Sequence, residues 1–201
     1  MCIRDRFSID EAIAEGIRPR VYSPSHLERA AIQRAFAERL LERNVLLLHG
    51  STVAVDGRAY LFTAKCGTGK STHTRLWCQA FGERAQMVND DKPFLAVTAG
   101  GVIAYGSPWC GKHGLGNPIS APLQGICLLH RGAENRIFPL APEDALSFLR
   151  SQAFVPRDRA KLSLTEQLLQ RLTDQVPLWE MECNKELQAA LVAYHAMKEG
   201  K

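Results

Sequence analysis

The chain carries Y-L-F-T-A-K-C-G-T-G-K-S-T-H-T-R-L-W at residues 60–77, and this stretch decides its fold. Strand-favouring residues come first, a loop of small residues follows, and helix-compatible sequence begins near Lys70. A glycine-rich loop between a strand and a helix is typical of a phosphate-binding loop, or P-loop, whose glycines let backbone N–H groups curl around phosphate oxygens. Ala64 stands where the usual pattern has its first glycine, a mild departure. The stretch predicts a P-loop, with a chance glycine-rich turn as the alternative.

Each residue type in this loop has an expected role. Lys70 can reach the β- and γ-phosphates of ATP, and the Ser71 hydroxyl can ligate Mg²⁺. The helix that follows adds its positive N-terminal end. Cys66, near that end, is either a redox-sensitive thiol or an ordinary loop residue. The residues expected to bind the nucleotide are Cys66, Gly67, Thr68, Gly69, Lys70, Ser71 and Thr72.

A hairpin signal stands directly before this loop. Asp56-Gly57 separates residues 51–55 from residues 58–63, and both segments favour strands. The strand that enters the loop should therefore have an antiparallel neighbour, whereas ordinary P-loop GTPases and ATPases use parallel crossovers there. The sequence thus predicts an α/β fold with a mixed sheet and flanking helices.

Two aspartates follow the next predicted strand, at residues 86–88. Asp90 and Asp91 come after Asn89, and a carboxylate pair downstream of a P-loop suits a catalytic base and a metal ligand. Asn-Asp-Asp also forms simple turns. His49, at the end of a predicted strand 45–48, is either part of the site or a buried histidine with a structural hydrogen bond.

A second glycine-rich segment, at residues 106–114, is of the type that covers a ligand or is simply exposed. Lys112 and His113 are candidates for contact with substrate or phosphate, with a solvated turn as the alternative. Trp109 would either stack on a base or substrate, or pack against other aromatic residues.

The remaining elements follow from hydrophobic periodicity. Ser25 and Glu28 have the spacing of a capping box, and the helix expected after them should pack an apolar stripe on the sheet. That stripe comprises Leu27, Ala31, Phe36, Leu40 and Leu41. Gly100-Gly101 indicates a second hairpin. Further strands are predicted at residues 123–129, 136–140 and 176–183, and further helices at residues 142–152, 162–173 and 185–197.

Composition sets the broad class of protein. The 201 residues are 46% hydrophobic, enough for the core of one domain, expected at residues 25–201. Residues 1–24 lack periodicity and are expected to be an irregular or truncated segment. The net charge is +4 with scattered basic residues, so neither a nucleic acid nor a membrane is indicated as a partner. The six cysteines form no C-x-x-C pair, which favours free thiols and a cytoplasmic location.

Five segments together resemble the HPr kinase/phosphorylase catalytic-domain family, in particular its short stand-alone relatives. They are L-L-L-H-G, A-K-C-G-T-G-K-S-T, V-N-D-D-K-P-F-L, Y-G-S-P-W-C-G-K and V-P-L-W-E-M-E-C, within residues 40–195. The resemblance implies a P-loop core similar to that of phosphoenolpyruvate carboxykinases. It also implies the use of ATP and Mg²⁺ and the phosphorylation of a serine hydroxyl, with reverse phosphorolysis in some members.

Carried over residue by residue, the resemblance implies Lys70 and Ser71 at the phosphates and the metal. It further implies Asp90 as catalytic acid/base, Asp91 as a metal ligand, and His49 near the active site. The family's C-terminal signature and later catalytic arginine have no recognisable counterpart in this chain, so the acceptor is open.

Three functions are compatible with these features. The first is an ATP- and Mg²⁺-dependent kinase that phosphorylates a serine-type hydroxyl of a protein, a peptide or free serine, with Asp90, Lys70 and His49 as catalytic residues. The second is a non-catalytic nucleotide-binding regulatory module. The third, a carboxykinase acting on oxaloacetate, would need more cationic residues. Phosphorolysis and a homo-oligomeric state are left open by the sequence.

Overall fold

A computed structural model of the protein describes residues 24–200, so the expected N-terminal segment lies outside the described residues except for Pro24, which opens the first helix. The division into that segment and one domain stays a prediction. The strands are β1 (Val45–Leu47), β2 (Ser51–Val55), β3 (Arg58–Thr63), β4 (Ala85–Asn89), β5 (Phe94–Thr98), β6 (Gly101–Tyr105), β7 (Ser120–Arg131), β8 (Arg136–Pro139) and β9 (Leu178–Cys183). The α-helices are α1 (Pro24–Leu41), α2 (Lys70–Phe81), α3 (Pro142–Gln152), α4 (Arg159–Gln175) and α5 (Leu187–Glu199).

The hairpin before the glycine-rich loop is confirmed. Strands β2 and β3 pair antiparallel, with Ser51 opposite Phe62 and Val55 opposite Arg58. Both turn residues have positive φ, 51° at Asp56 and 76° at Gly57, as a tight two-residue hairpin turn requires. On its other side β3 pairs in parallel with β7. The sheet is therefore mixed, as the sequence predicted.

Within residues 24–200 the sheet has nine strands, in the order β1-β5-β6-β7-β3-β2-β4, and β9 joins β7 and β8. Strand β7 is long enough to pair with three neighbours, antiparallel with β6 at its start and parallel with β3 and β9 further on. The prediction of a strand at residues 123–129 was too short because the first residues of β7 alternate between exposed and buried and make no continuous apolar run. The second hairpin, β5 and β6, is confirmed.

Both faces of the sheet are covered by helices. Alternate residues of β3 belong to two separate cores, because neighbouring side chains on a strand point to opposite faces. Leu61 packs in the core that includes residues of α1, α3 and α4, whereas Tyr60 and Phe62 pack in the core that includes Trp77 of α2 and residues of α5. The expected α/β architecture with flanking helices is confirmed.

The predicted apolar stripe of α1 is confirmed at Leu41, which is buried, and wrong at Leu27, Ala31 and Phe36, which are exposed. Leu27 and Phe36 are each 55% exposed, whereas the buried positions are Gln33, Ala37 and Leu41. These three residues are spaced four apart and so lie on one face of the helix. The buried surface of α1 is therefore a narrow strip. A small alanine at the middle contact allows the helix to approach closely, a role that a search for large apolar residues overlooks.

The other helices agree closely with expectation. Helix α3 has the predicted bounds, and α4 begins three residues earlier than predicted because Asp158 caps it by accepting a bond from the Lys161 N–H at 2.9 Å. No helix in the described part of the chain combines the length and apolarity needed to cross a lipid bilayer.

We predict that Gly106→Ala destabilises the fold. A Cβ at Gly106 would lie 1.9 Å from the Asn117 carbonyl oxygen, so the segment between β6 and β7 would have to move. The expected loss is about 3 kcal/mol in the free energy of unfolding, measured by urea denaturation. Gly100→Ala is the matched control, because a Cβ there has only a contact at 3.9 Å. Equal stability of the two variants would contradict this packing.

Candidate functional site

The glycine-rich loop leaves β3 and ends in the first turn of α2. Gly67 and Gly69 have φ values of 81° and 125°, which residues with a side chain rarely adopt. Gly69 is the N-cap residue of α2 and provides no side-chain cap. The first N–H groups of this helix therefore lack a capping side chain, the arrangement by which helix N-termini bind anions.

Lys70 folds back over the loop. Its ammonium donates a hydrogen bond to the Ala64 carbonyl oxygen at 3.1 Å, and the residue is only 8% exposed. A buried ammonium is costly unless anionic or carbonyl groups surround it. The loop thus holds a positive charge next to the uncapped end of α2.

Arg131, at the end of β7, forms hydrogen bonds to the backbone of the loop. Its guanidinium donates to the carbonyl oxygens of Gly67 at 2.5 Å and Thr68 at 3.3 Å. Carbonyl and N–H of a trans peptide point in opposite directions, so the Gly69 N–H faces away from Arg131. Sequence reasoning missed this residue, because only the parallel pairing of β3 and β7 brings it to the loop.

Asp90 lies beside the first turn of α2. The Ser71 hydroxyl donates to the Asp90 carbonyl oxygen at 3.4 Å, and the Gly111 N–H donates to Asp90 Oδ1 at 2.6 Å. The side chain is 3% exposed, and its Oδ2 has no hydrogen-bond partner among the described residues. A buried oxygen of this kind is usually explained by a group that is bound in the working protein. Gly111 allows the close approach, since a Cβ there would lie 3.2 Å from Asp90 Oδ2.

Asn89 holds the two aspartates and the second glycine-rich segment together. Its Oδ1 accepts from the N–H groups of Asp91 at 2.8 Å and Lys92 at 2.6 Å, and its Nδ2 donates to the Ser107 carbonyl oxygen at 3.0 Å. The side chain is fully buried. The turn that was the structural alternative for Asn-Asp-Asp is therefore present, and it fixes the backbone that carries Asp91. Sequence reasoning identified Asn89 only as a turn former.

The two aspartates point to different neighbours. Asp91 Oδ1 lies 3.4 Å from His49 Nε2, while His49 Nδ1 lies 3.0 Å from Gln152 Oε1. Burial, followed by the charges of Lys92 and Lys70, lowers the pKa of His49 from 6.5 to about 3. The ring is therefore neutral, and its contact with Asp91 is not an ion pair. Because Gln152 Oε1 can only accept a hydrogen bond, the single proton of the neutral ring is on Nδ1. The Nε2 lone pair therefore faces Asp91.

Lys92 and Gln152 are two further residues that sequence reasoning missed. Lys92 is 8% exposed and close enough to lower the pKa of His49, so the site contains a second buried lysine besides Lys70. Its position directly after Asp91 was the available signal. Gln152 ends α3, 103 residues from His49, and no local pattern could connect the two.

The other predicted residues surround this centre. Lys112 and His113 are exposed on a turn next to Gly111, and Cys66 is exposed in the first loop. Trp109 packs against Phe36 and Phe94, with ring centroids 5.7 and 5.9 Å apart, so the packing alternative is supported for it. No group of three or more His, Cys, Asp or Glu is arranged to hold a metal within residues 24–200.

Comparisons with known proteins give a likeness in structure and none in sequence. No protein-family model and no curated protein sequence matches the chain. Among solved structures, the HPr(Ser) kinase/phosphatase from Coxiella burnetii is similar at 12% identity, with a TM-score of 0.42, over 77% of this chain and 99% of that one. A likeness at this level is distant, so function has to be argued from the site itself.

We predict that stability falls as the pH is lowered from 7.5 to 5. Burial lowers the pKa of His73, the fourth residue of α2, from 6.5 to about 4. Between these values the unfolded chain binds a proton that the folded chain does not, so acidification favours unfolding. His73 should contribute about 2 kcal/mol to this loss, measured by urea denaturation at several pH values.

His73→Asn should make the pH dependence shallower but not flat, because His49, whose pKa is also lowered by burial, keeps its own contribution, whereas His113→Asn, at an exposed loop position, should leave the dependence as in the wild type. The interpretation is contradicted if His73→Asn keeps the wild-type slope.

Proposed function

We propose that the protein is an ATP- and Mg²⁺-dependent kinase that transfers the γ-phosphoryl group to a serine-type hydroxyl of a protein, a peptide or free serine. The observation that supports it best is the convergence of Lys70, Ser71 and Asp90. Ser71 Oγ and the Asp90 carbonyl oxygen are 3.4 Å apart, so the residue that carries this buried carboxylate lies next to the first turn of α2, which has no side-chain cap and begins with the buried Lys70.

The loop residues would bind the triphosphate. The N–H groups at the start of α2 and the Lys70 ammonium offer positive charge in a water-poor setting, where it stabilises phosphoryl oxygens most strongly. Residues 66–72, which form the loop and the start of α2, remain the proposed nucleotide-binding residues. Lys112 and His113 lie on the segment that contacts Asp90 through Gly111, and we propose that they contact the acceptor.

The donor atoms present fit Mg²⁺. The cation prefers hard oxygen ligands, and it commonly takes only one or two carboxylates together with substrate phosphates and water. Ser71 Oγ and the Asp91 carboxylate would hold it. When bound, the cation neutralises charge on the phosphate oxygens.

Asp90 would take the proton of the acceptor hydroxyl. Its Oδ1 is held by the Gly111 N–H while Oδ2 stays available, which is the geometry of a positioned base. His49 is a weak base because its pKa lies near 3. We therefore assign the proton transfer to Asp90 and not to His49, whose Nε2 lone pair faces the Asp91 carboxylate without donating a hydrogen bond to it.

The first test concerns Lys70. Lys70→Ala should lower turnover by roughly 10²-fold or more and weaken ATP binding, because a preorganised positive charge is lost. Phosphoryl transfer from labelled ATP to serine, serine peptides and HPr, together with calorimetric ATP titration, measures both effects. Lys65→Ala, an exposed lysine of the same loop, is the control and should behave as the wild type. Unchanged ATP affinity in Lys70→Ala would show that the loop binds no phosphate.

The second test separates the aspartates. Asp90→Asn should keep Mg·ATP binding while transfer falls roughly 10²–10⁴-fold, the usual effect of a lost general base. Asp91→Asn should instead raise the Mg²⁺ concentration that half-saturates activity, because a carboxylate ligand is gone. The measurement is a Mg²⁺ titration of nucleotide binding and of single-turnover transfer.

If both variants lose nucleotide equally, the two carboxylates form one metal site and the assignment of Asp90 as base is wrong. ATP binding by the wild type without transfer to any hydroxyl would favour the non-catalytic nucleotide-binding module.

A further inference from the structure

A cavity of about 450 Å³ opens beside the glycine-rich loop. One wall comes from the loop and the first turn of α2, with Thr68, Thr72 and His73. The opposite wall comes from the ends of β7 and β9, with Leu129 and Arg131, and Lys185 follows β9. This volume lies within the usual range for small-molecule sites, roughly 300–1,000 Å³. The roles assigned above use Thr68, Gly69 and Thr72 for the phosphates and give no role to the rest of this wall.

His73, in the wall of this cavity, has a buried donor without a partner. Its Nε2 lies 3.1 Å from the indole Nε1 of Trp77, and an indole N–H can only donate. His73 Nε2 is therefore the acceptor, and the ring proton must sit on Nδ1. That Nδ1 has no hydrogen-bond partner among the described residues, although His73 is only 2% exposed. A buried donor without an acceptor costs free energy. We therefore expect a bound molecule to provide the acceptor for the Nδ1–H of His73.

The character of the walls indicates what the acceptor belongs to. Leu129 is an apolar side chain suited to a flat ring, whereas Arg131 and Lys185 bring two positive charges to the same space and Glu186 one negative charge. The cavity also shares Thr68 and Gly69 with the loop proposed to bind phosphates. A group attached to those phosphates would enter the cavity directly, and a heterocycle with ring nitrogens or a sugar hydroxyl supplies the acceptor that His73 lacks.

We infer that the cavity binds the nucleoside part of the nucleotide, with the Nδ1–H of His73 as a hydrogen-bond donor to it. This inference rests on the proposed function, since it takes the loop as the phosphate site. The base and sugar would lie in the cavity, and His73 would be a residue that distinguishes a nucleotide from a bare polyphosphate.

Calorimetric titration with ATP and with inorganic tripolyphosphate, both with Mg²⁺, tests the inference. Cys183→Trp fills the cavity from the end of β9, where Cys183 is part of the wall. It should weaken ATP binding at least tenfold and leave tripolyphosphate binding within twofold of the wild type. Tripolyphosphate is the internal control, because it requires the folded loop but not the cavity.

A measurement on the unmodified protein does not depend on whether that variant folds. In a ¹H–¹⁵N spectrum of the histidine rings, ADP should move the His73 Nδ1–H resonance, and tripolyphosphate should not. Two results would place the nucleoside elsewhere while leaving the phosphate site intact. One is that ADP has the same effect on this resonance as tripolyphosphate, and the other is that Cys183→Trp binds ATP as tightly as the wild type. If the wild type binds neither ATP nor tripolyphosphate, the proposed function and this inference both fail.

Discussion

The site depends on strand β3 being paired on both sides. Its antiparallel partner β2 leads into it through a two-residue turn, and its parallel partner β7 runs alongside towards the glycine-rich loop. Side chains on its two faces fill two different cores, so the strand has little freedom to shift. The loop that follows β3 therefore starts from a fixed point. Arg131, at the end of β7, contacts this loop, and Asp90, which follows β4, lies beside the helix turn that ends it. Both are close because β4 and β7 belong to the same sheet as β3.

Buried charge is the second organising feature. Lys70, Lys92 and Asp90 are each less than 9% exposed, although burying an ion is unfavourable unless other charges or hydrogen bonds offset the lost hydration. Proteins retain such groups where charge is used, because low polarity around a site strengthens every electrostatic interaction within it. His49 responds to the same environment. Burial and the nearby lysines keep it neutral, so it lies beside Asp91 without adding a third positive charge.

Local signals in the sequence were reliable wherever a few neighbouring residues set the backbone. Asp56-Gly57 predicted the hairpin because few residue pairs tolerate two successive positive φ values. Gly67 and Gly69 predicted the loop between β3 and α2 for the same reason. The prediction for α1 was wrong at Leu27 and Phe36 because their exposure depends on which elements pack against the helix. The periodicity of the sequence carries no information about those elements. Strand β7 was longer than predicted because pairing with three neighbours, not its own apolar run, sets its length.

The sequence by itself determined the order of elements, the mixed character of the sheet and the residues of the loop and the aspartate pair. These features depend on backbone preferences and on residues close together in the chain. Only the tertiary structure decided which distant residues complete the site. Arg131 reaches the loop through a parallel pairing, Gln152 meets His49 from the end of α3, and His73 borders a cavity between α2 and two strand ends. The physical reason is that hydrogen bonds and burial act over a few ångströms in space, whereas residues that far apart in the chain share no local pattern.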